Sequence, residues 1–135
     1  MATYNKFNCT VKDVCEKKHN FATDTLKVAF SNATYAPDAA ADVKLADITT
    51  IDATNLGNTA LTTSVSLTGG TYKVIATDKT LTATGDVPAF RYIIIYNDTA
   101  TNDELICYFD YTSEVTLASG DTFKLDFGTE LFSLA

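Results

Sequence analysis

Hydrophobic positions along the chain change their period once, near Asn20, and the change predicts two kinds of structure. From Tyr4 to Lys18 the apolar residues Tyr4, Phe7, Val11 and Val14 recur in steps of three and four, while Lys6, Asp13, Glu16 and Lys17 fall largely elsewhere on the wheel. The spacing predicts one amphipathic helix of about four turns, with Thr3 as its N-cap and an Asp13 to Lys17 pair one turn apart. Thr10 and Val11 are β-branched and weaken its intrinsic propensity, so this helix needs a surface on which to dock its apolar stripe.

After Asn20 the period becomes two. Leu26, Val28 and Phe30 alternate with Lys27 and Ala29; Tyr72, Val74 and Ala76 with Lys73, Ile75 and Thr77; Phe123, Leu125 and Phe127 with Lys124 and Asp126. Each predicts a strand with one wet face. Phe90 to Asn97 and Leu105 to Tyr111 leave neither face polar and predict central strands covered on both sides. Weaker strands fit Leu61 to Leu67, Lys79 to Thr84, Val115 to Leu117 and Glu130 to Leu134. Turn chemistry falls between them at Gly69-Gly70, Asp78-Lys79, Gly85-Asp86, Asn97 to Asp103 and Ser119-Gly120-Asp121.

This spacing, without strand-helix-strand alternation, predicts an all-β protein: an antiparallel β-sandwich or barrel-like sandwich with one N-terminal amphipathic α-helix. One domain of residues 1–135 is expected, with an arm and helix in 1–20 and the β-sandwich in 21–135. Within it the stretch 31–58, rich in Ala, Asp, Asn and Thr, predicts a long irregular loop of the kind that carries function or meets a partner.

Composition narrows the function classes. A chain of 135 residues, 46% hydrophobic and 20% charged, has the size of one folded domain. Its formal net charge of −7 argues against nucleic acid and anionic membranes as partners, and Arg91 is its single Arg. No apolar run in the first 20 residues reaches signal-peptide length, which predicts a chain neither secreted by the common route nor membrane-spanning. Cys9, Cys15 and Cys107 are expected as reduced thiols, and the Asn-X-Thr triplets at Asn8, Asn32 and Asn97 carry no weight without secretion.

Candidate chemistry is sparse. His19 stands at the end of the predicted helix, where a cation capping the C-terminus is a cheaper expectation than a base, and a Cys15 and His19 pair at i,i+4 lacks an orienting third group. Zinc would need paired Cys or His ligands that the chain does not space correctly. Asp98, Asp103 and Glu104 in one loop, and Asp38, Asp42, Asp47 and Asp52 near another, read first as solvated acidic surface rather than as calcium ligands. No catalytic, cofactor or metal site is expected, and the chain does not read as an enzyme. The aromatics, among them Tyr4, Phe7, Tyr35, Tyr92, Phe109 and Tyr111, are expected mainly in packing.

Met1 to Asn8 (MATYNKFN), His19-Asn20-Phe21, Asp24 to Ala29 (DTLKVA), Leu45 to Thr49 (LADIT), Phe90-Arg91-Tyr92, Tyr96 to Thr99 (YNDT), Asp110-Tyr111 and Gly120 to Phe123 (GDTF) carry a resemblance. In this order, along nearly the whole chain, they resemble short tailed-bacteriophage virion structural proteins. The closest sense of that resemblance is a capsid decoration or cement protein, and the chain departs from the pattern at Cys9, Cys15 and Lys17-Lys18. The resemblance implies a protein made in the host bacterial cytoplasm that binds the exterior of the mature head through the major capsid protein and stabilises the shell. It implies self-association into a trimer or dimer, and no cofactor. Contact is expected from the chain end and the long loop, at Tyr4, Lys6, Phe7, Tyr35, Asp38 and Asp42. Other classes remain open: a phage tail or connector component, or a host-surface or glycan-binding module.

Overall fold

A computed structural model describes residues 2–135. Its elements in chain order are β1 (Thr3–Lys6), α1 (Cys9–Cys15), β2 (Leu26–Ser31), β3 (Thr63–Thr68), β4 (Thr71–Ala76), β5 (Lys79–Thr82), β6 (Val87–Asn97), β7 (Leu105–Leu117), β8 (Thr122–Leu125) and β9 (Phe132–Leu134). They form a four-stranded sheet in the order β1-β7-β6-β2, a three-stranded sheet β3-β4-β9 and a two-strand ladder β5-β8. All pairings are antiparallel. The all-β expectation holds: mostly strand, antiparallel, with one α-helix.

The four-stranded sheet is apolar on both faces, as the Ile93-Ile94-Ile95 run requires. On its inner face Leu26, Val28, Phe30, Ile93 and Ile95 belong to one buried cluster with Val74, Ala76, Leu81, Phe123, Leu125 and Phe132 of the two smaller sheets. Phe90 joins the layers, its ring 4.8 Å from Phe30 and 5.2 Å from Phe123. On the outer face Tyr92, Ile94 and Leu105 form a second cluster with Phe7 and Ile48, flanked by half-buried Tyr35 and Leu45. Beyond Ser31 the long stretch to 58 packs on both clusters, Tyr35, Leu45 and Ile48 on the outer one and Ile51, Ala53 and Leu56 on the inner one, with regular structure limited to a bridge from Lys44 to Glu104 and 3-10 turns at Leu45–Asp47 and Thr54–Leu56.

The N-terminus departs from the expected long helix. Thr3–Lys6 pairs with β7, from Thr3 opposite Asp110 to Lys6 opposite Cys107, so Thr3 is a strand residue and not an N-cap. A step of three from Tyr4 to Phe7 also fits a strand followed by a turn, and the sheet edge offers backbone partners that an isolated helix of β-branched residues cannot match. Phe7 then turns into the outer cluster, and α1 runs for seven residues from the Asn8 cap position. It ends because Lys17 takes a left-handed conformation (φ 64°). Lys17 N donates to Val14 O at 3.2 Å and Lys18 N to Asp13 O at 2.8 Å, which is the paired closure usually built on glycine. That turn takes Lys17 away from Asp13; Lys18 pairs with Asp13 instead, at 3.5 Å.

Gly69 and Gly70, at φ 57° and 81°, make the two-residue hairpin turn between β3 and β4 with Thr68 opposite Thr71. The expected strand Val115 to Leu117 is the far end of β7, not a separate element. Between the pairs Asp110 with Tyr92 and Val115 with Phe90, β7 carries four residues against one on β6. Tyr111, Thr112, Ser113 and Glu114 therefore bulge out, all exposed.

Candidate functional site

The six residues expected to meet a partner split into two groups. Tyr4 and Lys6 lie exposed on β1, one of the two outer strands of the four-stranded sheet. The opposite edge is guarded: Val28 N donates to Thr59 O at 3.2 Å and Leu61 N to Leu26 O at 2.8 Å, so residues 59–61 cover β2. Tyr4 packs edge-on against Phe109, with ring centres 5.5 Å apart. Phe7 is fully buried, 5.2 Å from the Tyr108 ring, and cannot be a contact residue.

The loop residues form an internal knot. Tyr35 Oη lies 2.9 and 3.1 Å from the two Asp42 carboxylate oxygens and 2.7 Å from Asp47 O. Asp38 N donates to Asp42 Oδ2 at 2.8 Å. Asp42 is 6% exposed, so its carboxylate serves the loop and is withdrawn as a contact. Burial, and then the hydrogen bond to Asp42, hold the Tyr35 hydroxyl above its ordinary range. Asp38 stays at the surface, where its carboxylate caps the backbone N–H groups of Ala40 and Ala41. Asn8 N donates to Ala39 O at 2.8 Å, so the two chain parts expected to make contact meet each other.

Sequence reasoning missed a groove of about 500 Å³ beside β1. It lies between the layers, lined by Ala2, Phe109, Tyr111, Phe123, Leu125 and Phe127, with Lys124 and Asp126 at its lips. The β7 bulge forms one wall. Arg91 braces the bulge with two hydrogen bonds to Asp110, at 2.8 and 3.0 Å, and Thr112 N donates to Asp110 Oδ1 at 2.8 Å. Thr112 sits at φ 69°, which a β-branched residue adopts only under strain. The sequence signal for this wall was the polar run Tyr111-Thr112-Ser113-Glu114 interrupting a strand pattern.

Chemistry elsewhere is quiet. His19 lies four residues beyond the end of α1, is 7% exposed and stacks on Phe21 at 5.2 Å. Desolvation lowers its pKa, which overturns the expectation of a cationic helix cap. Because α1 ends at Cys15 and Lys17 breaks the helical path, Cys15 and His19 share no helical face. Burial, followed by the Asp13 carboxylate, pushes the Cys9 thiol up to about 11, and burial pushes Cys107 up as well, so neither supplies a thiolate near neutral pH. Among the described residues no three His, Cys, Asp or Glu side chains are grouped to hold a metal ion, and no helix is long and apolar enough to cross a membrane.

No protein-family description, curated protein or solved structure matches the chain.

Proposed function

We propose that this chain is a bacteriophage capsid decoration protein that binds the outer surface of the mature head and stabilises the shell. The observation that carries the proposal is the ordered series of resembling blocks from Met1-Ala2-Thr3-Tyr4 to Gly120-Asp121-Thr122-Phe123. The fold supports it: a two-layer body with an edge strand, an apolar groove and a strained bulge on one side suits a subunit that is bound by others. The contact surface on this proposal is the β1 edge with Tyr4 and Lys6, together with Tyr111 at the groove mouth. A net charge of −7 keeps free copies apart, while association as a dimer or trimer multiplies weak contacts on a repeating lattice. A ligand that binds only the expanded shell stabilises that shell by linkage.

The test is sedimentation of purified protein with empty expanded heads of the phage that encodes it. Saturation near one copy per major capsid protein is the expected result, with Tyr111→Asp weakening binding at least about tenfold, a loss of 1.4 kcal/mol or more. Binding to a glycan array with no binding to heads would replace the proposal with a host-surface module. Binding to tails alone would replace it with a tail component.

A further inference from the structure

His19 is anchored at a place where its protonation state is set by its neighbours. Asn97 is fully buried at the end of β6, and its Oδ1 accepts from the backbone N–H of Thr99 at 3.0 Å and Ala100 at 3.2 Å. That orients the amide. Its Nδ2 must then face the other way, where it donates to Asp24 Oδ2 at 2.7 Å and meets His19 Nδ1 at 2.9 Å. Nδ1 can only accept there, so the network assigns the proton to Nε2, which is buried with no hydrogen-bond partner. A second proton on Nδ1 would set two donors face to face inside the fold.

The same network ties two segments together. Asp24 Oδ2 also accepts from Asn20 N at 2.8 Å, Thr25 N donates to Thr99 Oγ1 at 2.9 Å, and Asp98 N donates to Thr25 O at 2.9 Å. We infer that His19 is a proton-sensitive latch: neutral, it holds residues 16–25 against the loop after β6, and on taking up a proton it releases them.

The charged groups facing the ring are Asp13 from α1, Lys18 beside it, Asp24 from its own segment and Glu104 ahead of β7. The three carboxylates favour a proton on the ring; desolvation opposes it and prevails, as the lowered pKa records. Because the folded pKa lies below the unfolded value of 6.5, the latch is fully closed above that pH. It weakens as the pH falls from 6.5 toward the folded value, and the loss is complete below it. The latch does not rest on the decoration role.

The test is an NMR titration of the imidazole with amide hydrogen exchange on the whole chain. The expected result is the Nε2–H tautomer, a midpoint below 6.5, and opening at Thr25, Asp98, Thr99 and Ala100 that increases about tenfold for each unit by which the pKa is lowered, after correction for intrinsic exchange. His19→Gln keeps an acceptor for Asn97 without a titrating group and should abolish the pH dependence. An Nδ1–H tautomer, a midpoint at or above 6.5, or the same acid response in His19→Gln would overturn the inference. Uniform loss of protection across all three sheets would also overturn it. Should the variant fail to fold, the wild-type titration decides alone.

Discussion

Both faces of the four-stranded sheet bury apolar side chains, a large cluster on the inner face and a smaller one on the outer, yet they are closed by different means. The inner face meets regular strands whose alternating side chains interdigitate with it, Val74 and Ala76 from β4, Leu81 from β5, Phe123 and Leu125 from β8. The outer face is closed by chain with almost no repeating structure: the turn at Phe7, Cys9 at the start of α1, and the segment 35–48, pinned by Ile48, Tyr35 and the buried Asp42. A sheet face needs burial and does not specify what supplies it. Regular partners give a continuous core, whereas an irregular cover depends on a few anchors and on polar groups that satisfy each other.

That contrast orders the expected effects of mutation. The largest follows Phe90→Ala, which removes the ring joining Phe30 to Phe123 and should cost about 3–5 kcal/mol by urea denaturation. Phe7→Ala opens the outer cluster and should cost about 3 kcal/mol, the low end of the range for this substitution, because a loop cover can settle into the space. If it costs as much as Phe90→Ala, the cover is as rigid as the sandwich and the contrast fails.

Tyr35→Phe deletes one hydroxyl and leaves the buried Asp42 short of a donor, at about 1–2 kcal/mol. Exchange should rise in residues 35–47 and leave β2 and β6 protected; a uniform rise would show that the cover unfolds only with the whole protein. Thr112→Gly should stabilise the free protein by up to about 1 kcal/mol by relieving the left-handed strain. The smallest expected effect is that of Asp110→Asn. Arg91 holds the Asp110 carboxyl below its ordinary range, chiefly through their hydrogen bonds, so its contribution is present above about pH 4 and lost as the pH falls through the folded value. The variant should therefore show a flatter acid limb in a thermal-melting series.

How far the sequence could be read follows the same division. Strands β2 and β4 were legible because their apolar side chains recur at every second residue, β6 and the first half of β7 because neither face is polar, and Gly69-Gly70 marked its hairpin because few other residues take that conformation. The cover was legible only as a gap: Tyr35, Asp42 and Asp47 carry no period, and nothing local shows that a carboxylate seven residues on will accept from a tyrosine. Strand β1 was read as helix because Tyr4 and Phe7, three residues apart, match a helical step, while its partner lies more than a hundred residues away in β7. The proposed contact side was half legible. Tyr4 and Lys6 are on the surface, while the groove depends on Phe109 of β7 converging with Phe123 of β8 and Phe127 just beyond it.

The decoration proposal is tested most directly by the protein composition of gradient-purified virions of the phage that encodes this chain. Quantitative mass spectrometry should find it in a copy number close to that of the major capsid protein. Its absence from the particles, or a handful of copies per virion, would contradict the proposal.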